Sequence, residues 1–280
     1  MILAIDAGGT HLRALLLEKE KEVASFEAKS SEMPLGSWLT SLLEKNPKIR
    51  TVCISFAGQV NDGTITAAPN MTVDIPDIKT HFERHFPITL YIENDLKCAA
   101  IAEAKAHKSA HLCALYVGTG IGLGVIEAGK LIKGHDNFAT EIGHIPFSPA
   151  PFACGCGRDN CLELFASGSG LHKWARYYNL KPNQTLDSLK TSQEPHAQKI
   201  VTQFENALLH AAGCVITLFN PEILVLGGGI IEANGFLVDF IKTNIHTTAL
   251  KHSVKNVMIV KSNLKHAPLT GATLLKESYV

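Results

Sequence analysis

The sequence predicts an α/β fold, because short apolar runs typical of buried strands alternate along the chain with stretches of helical periodicity. Two further observations support this fold class: glycine-rich turns join pairs of strands, and segment 196–218 repeats apolar residues at helical spacing before Pro221. The predicted strands are 2–5, 12–17, 51–56, 89–92, 112–117, 122–127, 223–226 and 257–260. The predicted helices lie around 38–43, 99–104, 196–218 and 270–276, and a loop or short helix is expected at 182–195.

A strand, a glycine turn and a second strand open the chain, and the same pattern recurs at 112–127. Superposing Ile5 on Leu115 places Gly8 on Gly118, which favours two related α/β halves. The alternative is coincidence, since glycine-turned hairpins are common. We therefore predict a small N-terminal domain, 1–105, to which the closing helix at about 268–280 returns, and a larger C-terminal domain, 106–267.

Composition excludes several classes of protein. Lys plus Arg and Asp plus Glu both number 26, so the sequence predicts no nucleic-acid-binding surface. The longest apolar runs have strand length, and the chain opens with Met1-Ile2-Leu3-Ala4. From these we expect no membrane span, no secretion signal and no DNA-binding segment. Seven cysteines, three of them crowded together, argue against a disulfide framework and for a reducing, cytoplasmic location.

Three glycine-rich turns are candidate nucleotide-binding segments. Successive N–H groups in a tight turn form an anion-binding concavity, and a carboxylate beside it can hold Mg²⁺ through water. The second turn lacks the spacing of the dinucleotide fingerprint and precedes a strand, so a phosphate cradle fits it better. Ordinary hairpin turns or flexible loops are the alternatives. The candidates are Asp6, Gly8, Gly9 and Thr10, then Gly118, Thr119 and Gly120, then Gly227, Gly228 and Gly229.

Asn94 and Asp95 follow a predicted strand and precede a predicted helix. Asp95 could accept the proton of an attacking hydroxyl, as phosphoryl transfer requires, with Asn94 binding the same sugar. From local sequence alone, capping of the following helix is the favoured alternative.

His144, Cys154, Cys156 and Cys161 form the strongest local signal. Three thiolates and one imidazole are a common structural Zn²⁺ set, and the Cys-Gly-Cys-Gly sequence permits a tight loop. Free buried cysteines are the alternative. Glu141 and Glu163 flank the cluster, where a zinc loop would hold them rigidly enough to accept hydrogen bonds from sugar hydroxyls.

Taken together, these segments resemble the ROK family of bacterial sugar kinases and sugar-responsive repressors over nearly the whole chain. Glu141-Ile142-Gly143-His144 resembles the family's E-x-G-H motif, and 154–163 resembles its cysteine loop. The resemblance implies an actin-like ATPase (ribonuclease H-like) fold with two α/β domains around a closing cleft, and a homodimer. It implies Asp95 as general base, His144 serving both zinc and sugar, and further sugar contacts from Gly58, Asn70, Asn94, Glu141 and Glu163.

The resemblance predicts an ATP-dependent hexose kinase acting on the 6-hydroxyl of glucose or a close epimer such as allose, with Mg²⁺ and a structural Zn²⁺. Alternatives are an N-acetylhexosamine kinase (N-acetylglucosamine or N-acetylmannosamine) on the same scaffold, or a non-catalytic sugar-sensing regulator. Three departures from the family pattern occur. Thr140 replaces a usual glycine, Leu96-Lys97 replace a usual Ala-Asn, and Asn160 replaces a glycine that we expect Asn to mimic in a left-handed backbone.

Overall fold

The computed structural model describes residues 1–69, 71–182 and 184–278. Its strands are β1 (Ile2–Ala7), β2 (His11–Glu18), β3 (Lys21–Lys29), β4 (Thr51–Phe56), β5 (Gln59–Asn61), β6 (Thr64–Ala67), β7 (Thr89–Asn94), β8 (Leu112–Val117), β9 (Ile121–Glu127), β10 (Lys130–Leu131), β11 (Ile223–Gly227) and β12 (Met258–Lys261). Its helices are α1 (Leu35–Lys45), α2 (Ile78–His85), α3 (Asp95–His107), α4 (Gly168–Tyr177), α5 (Leu186–Thr191), α6 (Pro195–Phe219), α7 (Gly229–Ala233), α8 (Phe236–Asn244), α9 (Lys251–Asn256) and α10 (Ala267–Ser278). The α/β class is as predicted.

The chain divides into two compact units. The first contains Met1–Lys108, Gly129–Ala139 and the chain from Leu264 onward, and the second contains Ser109–Ala128 and Thr140–Asn263. The sequence-based boundaries place Gly129–Ala139 in the second domain, whereas the structure groups this segment with the first unit.

The first unit is built on a sheet with the strand order β3-β2-β1-β4-β7. Strand β1 is antiparallel to β2 and parallel to β4, which is parallel to β7. Alternate residues of β1 point to opposite faces, so Leu3 and Ile5 join a core with α1 and α2, while Ala4 packs against α10. Helix α10 also packs on α3, where Gly271 lies against the backbone of Cys98.

The second unit repeats this arrangement. The strands of this unit lie in the order β9-β8-β11-β12, with β8 antiparallel to β9 and parallel to β11, and β11 parallel to β12. Strands β8, β9, β11 and β12 therefore correspond to β1, β2, β4 and β7 in order and direction. The two units have the same core topology, which is what the repeated strand–glycine turn–strand pattern predicts.

Several elements were not predicted. The edge strand β3 is one, because its polar residues alternate with partly buried ones and give little apolar signal. Helix α2 is another, since only Ile78 and Phe82 of its residues are buried. The structure also adds β5, β6, β10, α4, α7, α8 and α9, and the expected short helix in 182–195 is α5. Among the described residues, no helix combines the length and apolarity that crossing a membrane requires.

Candidate active site

The carboxyl ends of β1, β4 and β7 lie side by side at one edge of the first sheet. The strand register pairs Ala7 with Phe56 and Phe56 with Asn94. The residues that follow these strands therefore meet at this edge, as they do in open α/β sheets. The structure thus brings Asp6, the Gly8–Thr10 turn, Gly58 and the Asn94–Asp95 pair together within the first unit.

Asp6 is the last polar residue of β1 and is largely enclosed. Burial raises the pKa of its carboxyl group, an effect opposed by a hydrogen bond from Ser55 and by the charges of Arg13 and His266. The hydroxyl of Ser55 donates to Oδ1 of Asp6 over 3.2 Å. Ser55 was not singled out in the sequence, but the register places it directly opposite Asp6.

The turn after Asp6 is fixed by hydrogen bonds at its base. The N–H of Gly8 donates to the carbonyl of His11 over 3.0 Å, and the hydroxyl of Ser30 donates to the carbonyl of Gly8 over 2.5 Å. Gly9 and Thr10 are exposed beyond these bonds. The turn is therefore rigid where it joins the sheet and accessible at its tip.

Asn94 caps α3, so the capping alternative is correct for this residue. Its Oδ1 accepts the N–H groups of Leu96 and Lys97 at 3.0 and 3.2 Å. Its Nδ2 donates to the carbonyl of Gly58 and to Oδ1 of Asp95, each at 3.0 Å. Oδ1 of Asp95 also accepts the N–H of Leu96 at 3.0 Å, so the cap made by Asn94 leaves the Asp95 carboxyl group in place at the start of the helix. Capping and a base at Asp95 are therefore compatible.

The other two glycine segments follow adjacent parallel strands of the second unit, β8 and β11. In the first, the N–H of Gly118 donates to the carbonyl of Gly120 over 2.9 Å. Gly228 has a φ of +87°, and a β-carbon there would lie 2.5 Å from the carbonyl oxygen of Val117. Only glycine fits this close approach of two backbones.

The start of α4 supports the first of these turns. The N–H groups of Gly168 and Ser169 donate to the carbonyls of Gly118 and Thr119, both over 2.9 Å. Ser167 caps the helix by accepting the N–H of Gly170 at 3.0 Å. The sequence analysis missed α4, although Ser167 followed by small residues is a typical N-cap signal.

His144, Cys154, Cys156 and Cys161 form one cluster, with one potential ligand atom from each lying within 4.8 Å of all the others. Sγ of Cys154 lies 3.7 Å from Nδ1 of His144, and the Sγ atoms of Cys156 and Cys161 are 3.4 Å apart. A tetrahedron with bonds of about 2.0 to 2.3 Å has edges of about 3.3 to 3.8 Å. The three sulfurs and one nitrogen therefore fit a Zn²⁺ ion.

The loop that carries the cluster is held by backbone bonds. The N–H of Cys154 donates to the carbonyl of Arg158 over 2.7 Å, and the N–H of Leu162 donates to the carbonyl of Ile145 over 3.0 Å. The left-handed residue of the loop is Gly157, with φ +90°, whereas Asn160 has no positive φ. The left-handed backbone that we expected Asn160 to adopt in place of glycine is therefore not observed, and its carbonyl instead accepts the N–H of Phe147 at 2.8 Å.

The three thiols differ in acidity. Hydrogen bonding by the backbone of Arg158 is the main effect that lowers the pKa of Cys156 to about 6, and this side chain is exposed. Burial raises the pKa of Cys154 and raises that of Cys161 to about 12. Cys156 is thus the thiol most readily ionised for metal binding.

Glu163 links the cysteine loop to the glycine turn of β8. Its Oε1 lies 3.6 Å from Sγ of Cys154, and a β-carbon at Gly120 would lie 2.6 Å from its Oε2. His144 and Glu163 lie on neighbouring short 3₁₀ turns, Ile142–His144 and Leu162–Leu164. Glu141 is exposed immediately before the first of these turns. The structure thus collects His144, Glu163, the cysteines and the Gly118–Gly120 turn within the second unit.

Two further residues near the predicted sugar site are Asn70 and Thr140. Asn70 lies outside the described residues. Thr140, the residue that departs from an expected glycine, has a φ of +76°, a left-handed conformation that residues other than glycine rarely adopt.

Comparison with known proteins identifies relatives over the full chain. A family model described as "ROK family" matches residues 2–278. The N-acetylmannosamine kinase of Shigella boydii is 28% identical, with 98% of both chains covered, and the glucokinase of Streptomyces coelicolor is 27% identical, with 86% of both covered. The DNA-binding transcriptional dual regulator NagC of Escherichia coli is 26% identical over 86% of this chain. The chain spans 63% of the length of NagC.

Solved structures share the fold. The ROK hexokinase of Thermus thermophilus superposes with a TM-score of 0.83 at 23% identity, covering 98% of this chain and 97% of that one. The ROK glucokinase of Streptomyces griseus, solved with glucose and AMPPNP, gives 0.78 at 22% identity, with 99% of both chains covered. These similarities confirm the predicted actin-like ATPase fold.

Proposed function

Because the chain belongs to the ROK family, we propose that it is an ATP-dependent hexose kinase that transfers the γ-phosphoryl group of ATP to a sugar hydroxyl. The observation that carries the proposal is the placement of Asp95. Its Oδ1 accepts two hydrogen bonds, from Asn94 and from the N–H of Leu96, at the sheet edge where Asp6 and the Gly8–Thr10 turn also lie. A general base and a phosphate-binding turn at one edge are what phosphoryl transfer needs.

In this proposal Asp95 takes the proton from the attacking hydroxyl. The bonds from Asn94 and Leu96 to Oδ1 hold the carboxylate of Asp95 at the start of α3. Asn94 itself is held by Gly58 and by the start of α3, which fixes the orientation of the pair. Positioning of this kind is the main contribution a protein makes to phosphoryl transfer.

We assign the nucleotide to the three glycine segments. Gly8, Gly9 and Thr10, together with Gly118, Thr119 and Gly120, present N–H groups to the phosphates, while Gly227 to Gly229 accommodate the adenosine. Asp6 would hold Mg²⁺, and its buried carboxyl group beside the exposed turn is suited to this role. When bound, Mg²⁺ neutralises charge that develops on the transferred phosphoryl group.

We assign the sugar hydroxyls to Gly58, Asn70, Asn94, Glu141, His144 and Glu163. Nδ1 of His144 lies on the side of Cys154, so Nε2 is left for a hydroxyl. His144, Cys154, Cys156 and Cys161 would hold Zn²⁺, which serves as a structural ion. Ligation at Nδ1 would also fix the tautomer that presents Nε2 to the sugar.

Two substrate classes fit the relatives. The similarity to the Streptomyces coelicolor glucokinase favours glucose or an epimer such as allose as the substrate. The similarity to the N-acetylmannosamine kinase of Shigella boydii, which extends over 98% of both chains, favours an N-acetylhexosamine. We retain glucose or a close epimer as the first candidate, with transfer to the 6-hydroxyl. A cytoplasmic homodimer stays a prediction.

The test is ADP release from ATP with glucose, allose, N-acetylglucosamine and N-acetylmannosamine in separate reactions, and with no sugar as control. The proposal predicts sugar-dependent ADP release with at least one of them. Turnover with none of the four, combined with saturable sugar binding, would reject the kinase and favour a sugar-sensing regulator. The sugar with the highest kcat/KM identifies the substrate class.

A further inference from the structure

We propose that Lys97 and Asn137 are positioning residues that hold the start of α3, and with it Asp95, in the geometry that phosphoryl transfer requires. The inference rests on the proposed function for the role of Asp95. Lys97 is one of the residues that depart from the family pattern. Asn137 lies far along the chain from α3, in the Gly129–Ala139 segment that groups with the first unit.

The two side chains complete a closed ring of hydrogen bonds. Nζ of Lys97 donates to Oδ1 of Asn137 over 2.7 Å, and Nδ2 of Asn137 donates to Oε1 of Glu93 over 2.7 Å. The same Oε1 accepts the N–H of Asn94 at 2.9 Å, and Oδ1 of Asn94 accepts the N–H of Lys97 at 3.2 Å. The ring therefore returns to Lys97 after passing through both residues that precede Asp95.

The charged groups of this ring are buried, so each needs its hydrogen-bond partner. Glu93 is 0% exposed and Lys97 is 2% exposed, so an unsatisfied polar atom here would be costly. The amide of Asn137 lies between the two charged groups, accepting from the ammonium and donating to the carboxylate. Lys133 adds a second cation, 3.4 Å from Oε2 of Glu93. A buried network whose members bond to one another in this way rigidifies the segment that carries it, here the start of α3.

The backbone of Asn137 is adapted to this task. Its φ is +63°, a conformation that asparagine tolerates better than most residues. Two further bonds anchor it: its Nδ2 donates to the carbonyl of Val60 over 2.9 Å, and its own carbonyl accepts Nζ of Lys97 at 2.5 Å. Asn137 thus joins β5, β7 and α3, and its loss would loosen the helix start.

The decisive experiment compares Lys97→Met, Asn137→Gly and the double variant in the full chain. Lys97→Met removes the charge and donor with little change in length. Asn137→Gly removes the side chain at a φ that glycine adopts without strain. The matched control is Lys105→Met, which alters an exposed lysine of the same helix that pairs with Glu277. Asn137→Gly decides the outcome if Lys97→Met does not fold.

Each single variant is expected to lower kcat by about tenfold or more, because small displacements of a positioned base are expensive. KM for ATP stays within about twofold, since the nucleotide contacts are unchanged. The double variant is no slower than the worse single variant, because both break one ring. Lys105→Met keeps the wild-type kcat. Single variants with wild-type kcat, or losses that multiply in the double variant, would overturn the proposal.

Amide hydrogen exchange separates failure of this proposal from failure of the proposed function. The N–H groups of Asn94, Leu96 and Lys97 should exchange faster in Asn137→Gly than in wild type or Lys105→Met. If wild type phosphorylates no sugar but exchange accelerates, the kinase assignment fails while the ring stands as the clamp on α3. Unchanged exchange at these amides overturns the ring in either case.

Discussion

Glu163 lies beside Gly120, so closely that a β-carbon at residue 120 would stand 2.6 Å from its Oε2. The proposed sugar-binding carboxylate and the proposed phosphate-binding turn therefore adjoin within the second unit. Because the neighbouring atom is the end of a flexible side chain, Gly120→Ala should displace the carboxylate while costing less than about 1 kcal/mol of unfolding free energy.

We expect Gly120→Ala to raise KM for the sugar by about tenfold, as loss of one charged hydrogen bond does. Steady-state kinetics over a range of sugar concentrations measures this. Gly118→Ala is the matched variant, since nothing lies within 4 Å of its added β-carbon. If both substitutions change the sugar KM equally, Gly120 does not act through Glu163.

The metal cluster predicts about one zinc per chain in protein purified without chelator, because the four ligand atoms form one site. Cys156→Ser is expected to lower the zinc content and the unfolding temperature. Cys214→Ser, at a cysteine outside the cluster, is expected to leave zinc content unchanged. Elemental analysis of wild type and the two variants measures their zinc content. Wild-type protein without zinc would refute the assignment of the four ligands.

Thr140 predicts a stabilising substitution. In the left-handed region, a residue other than glycine is destabilised by about 1 to 2 kcal/mol. Glycine avoids this strain, but its greater freedom in the unfolded chain costs about 0.5 to 1 kcal/mol. With φ at +76°, Thr140→Gly should therefore raise the free energy of unfolding by roughly 0.5 to 1 kcal/mol. Urea denaturation measures it. Thr66→Gly, in strand β6, should instead destabilise, and a matching loss in both variants would show that Thr140 is not strained.

Helix packing in the first unit predicts a destabilising substitution at Gly271. A β-carbon there would overlap the backbone of Cys98, which cannot rotate away as a side chain can. Gly271→Ala should cost about 1 to 3 kcal/mol, as overpacking does. Gly235→Ala is the control, because nothing lies within 4 Å of its added β-carbon. Calorimetric unfolding that shows equal stability for both variants would contradict the packing argument.

Local signals explain what the sequence predicted. The strand–glycine turn–strand pattern and the cluster of His144 with three cysteines each depend on residues close along the chain, so local sequence located the turns at Gly8 and Gly118 and all four potential zinc ligands. Buried strands such as β8 and β11 are nearly all apolar and were located to within a residue.

Long-range contacts explain which features of the site the sequence analysis missed. Asn137 gives no signal in a polar loop, because its partners Lys97 and Glu93 are distant in sequence. Ser55 contacts Asp6 only through the pairing of β1 with β4. Lys97 stood out as a departure from the family pattern, but its burial could not be inferred from a lysine in the first turn of a helix.

The most direct test of the central claim is the formation of sugar phosphate by wild-type protein and by Asp95→Asn, measured by mass spectrometry with ATP and the preferred sugar. Asparagine keeps the size and the hydrogen-bonding oxygen of the side chain but cannot take a proton. We predict product with wild type, none with Asp95→Asn, and sugar binding by Asp95→Asn that changes only modestly in calorimetry. Phosphorylation by Asp95→Asn at more than a few per cent of the wild-type rate would contradict the assignment of Asp95 as the base.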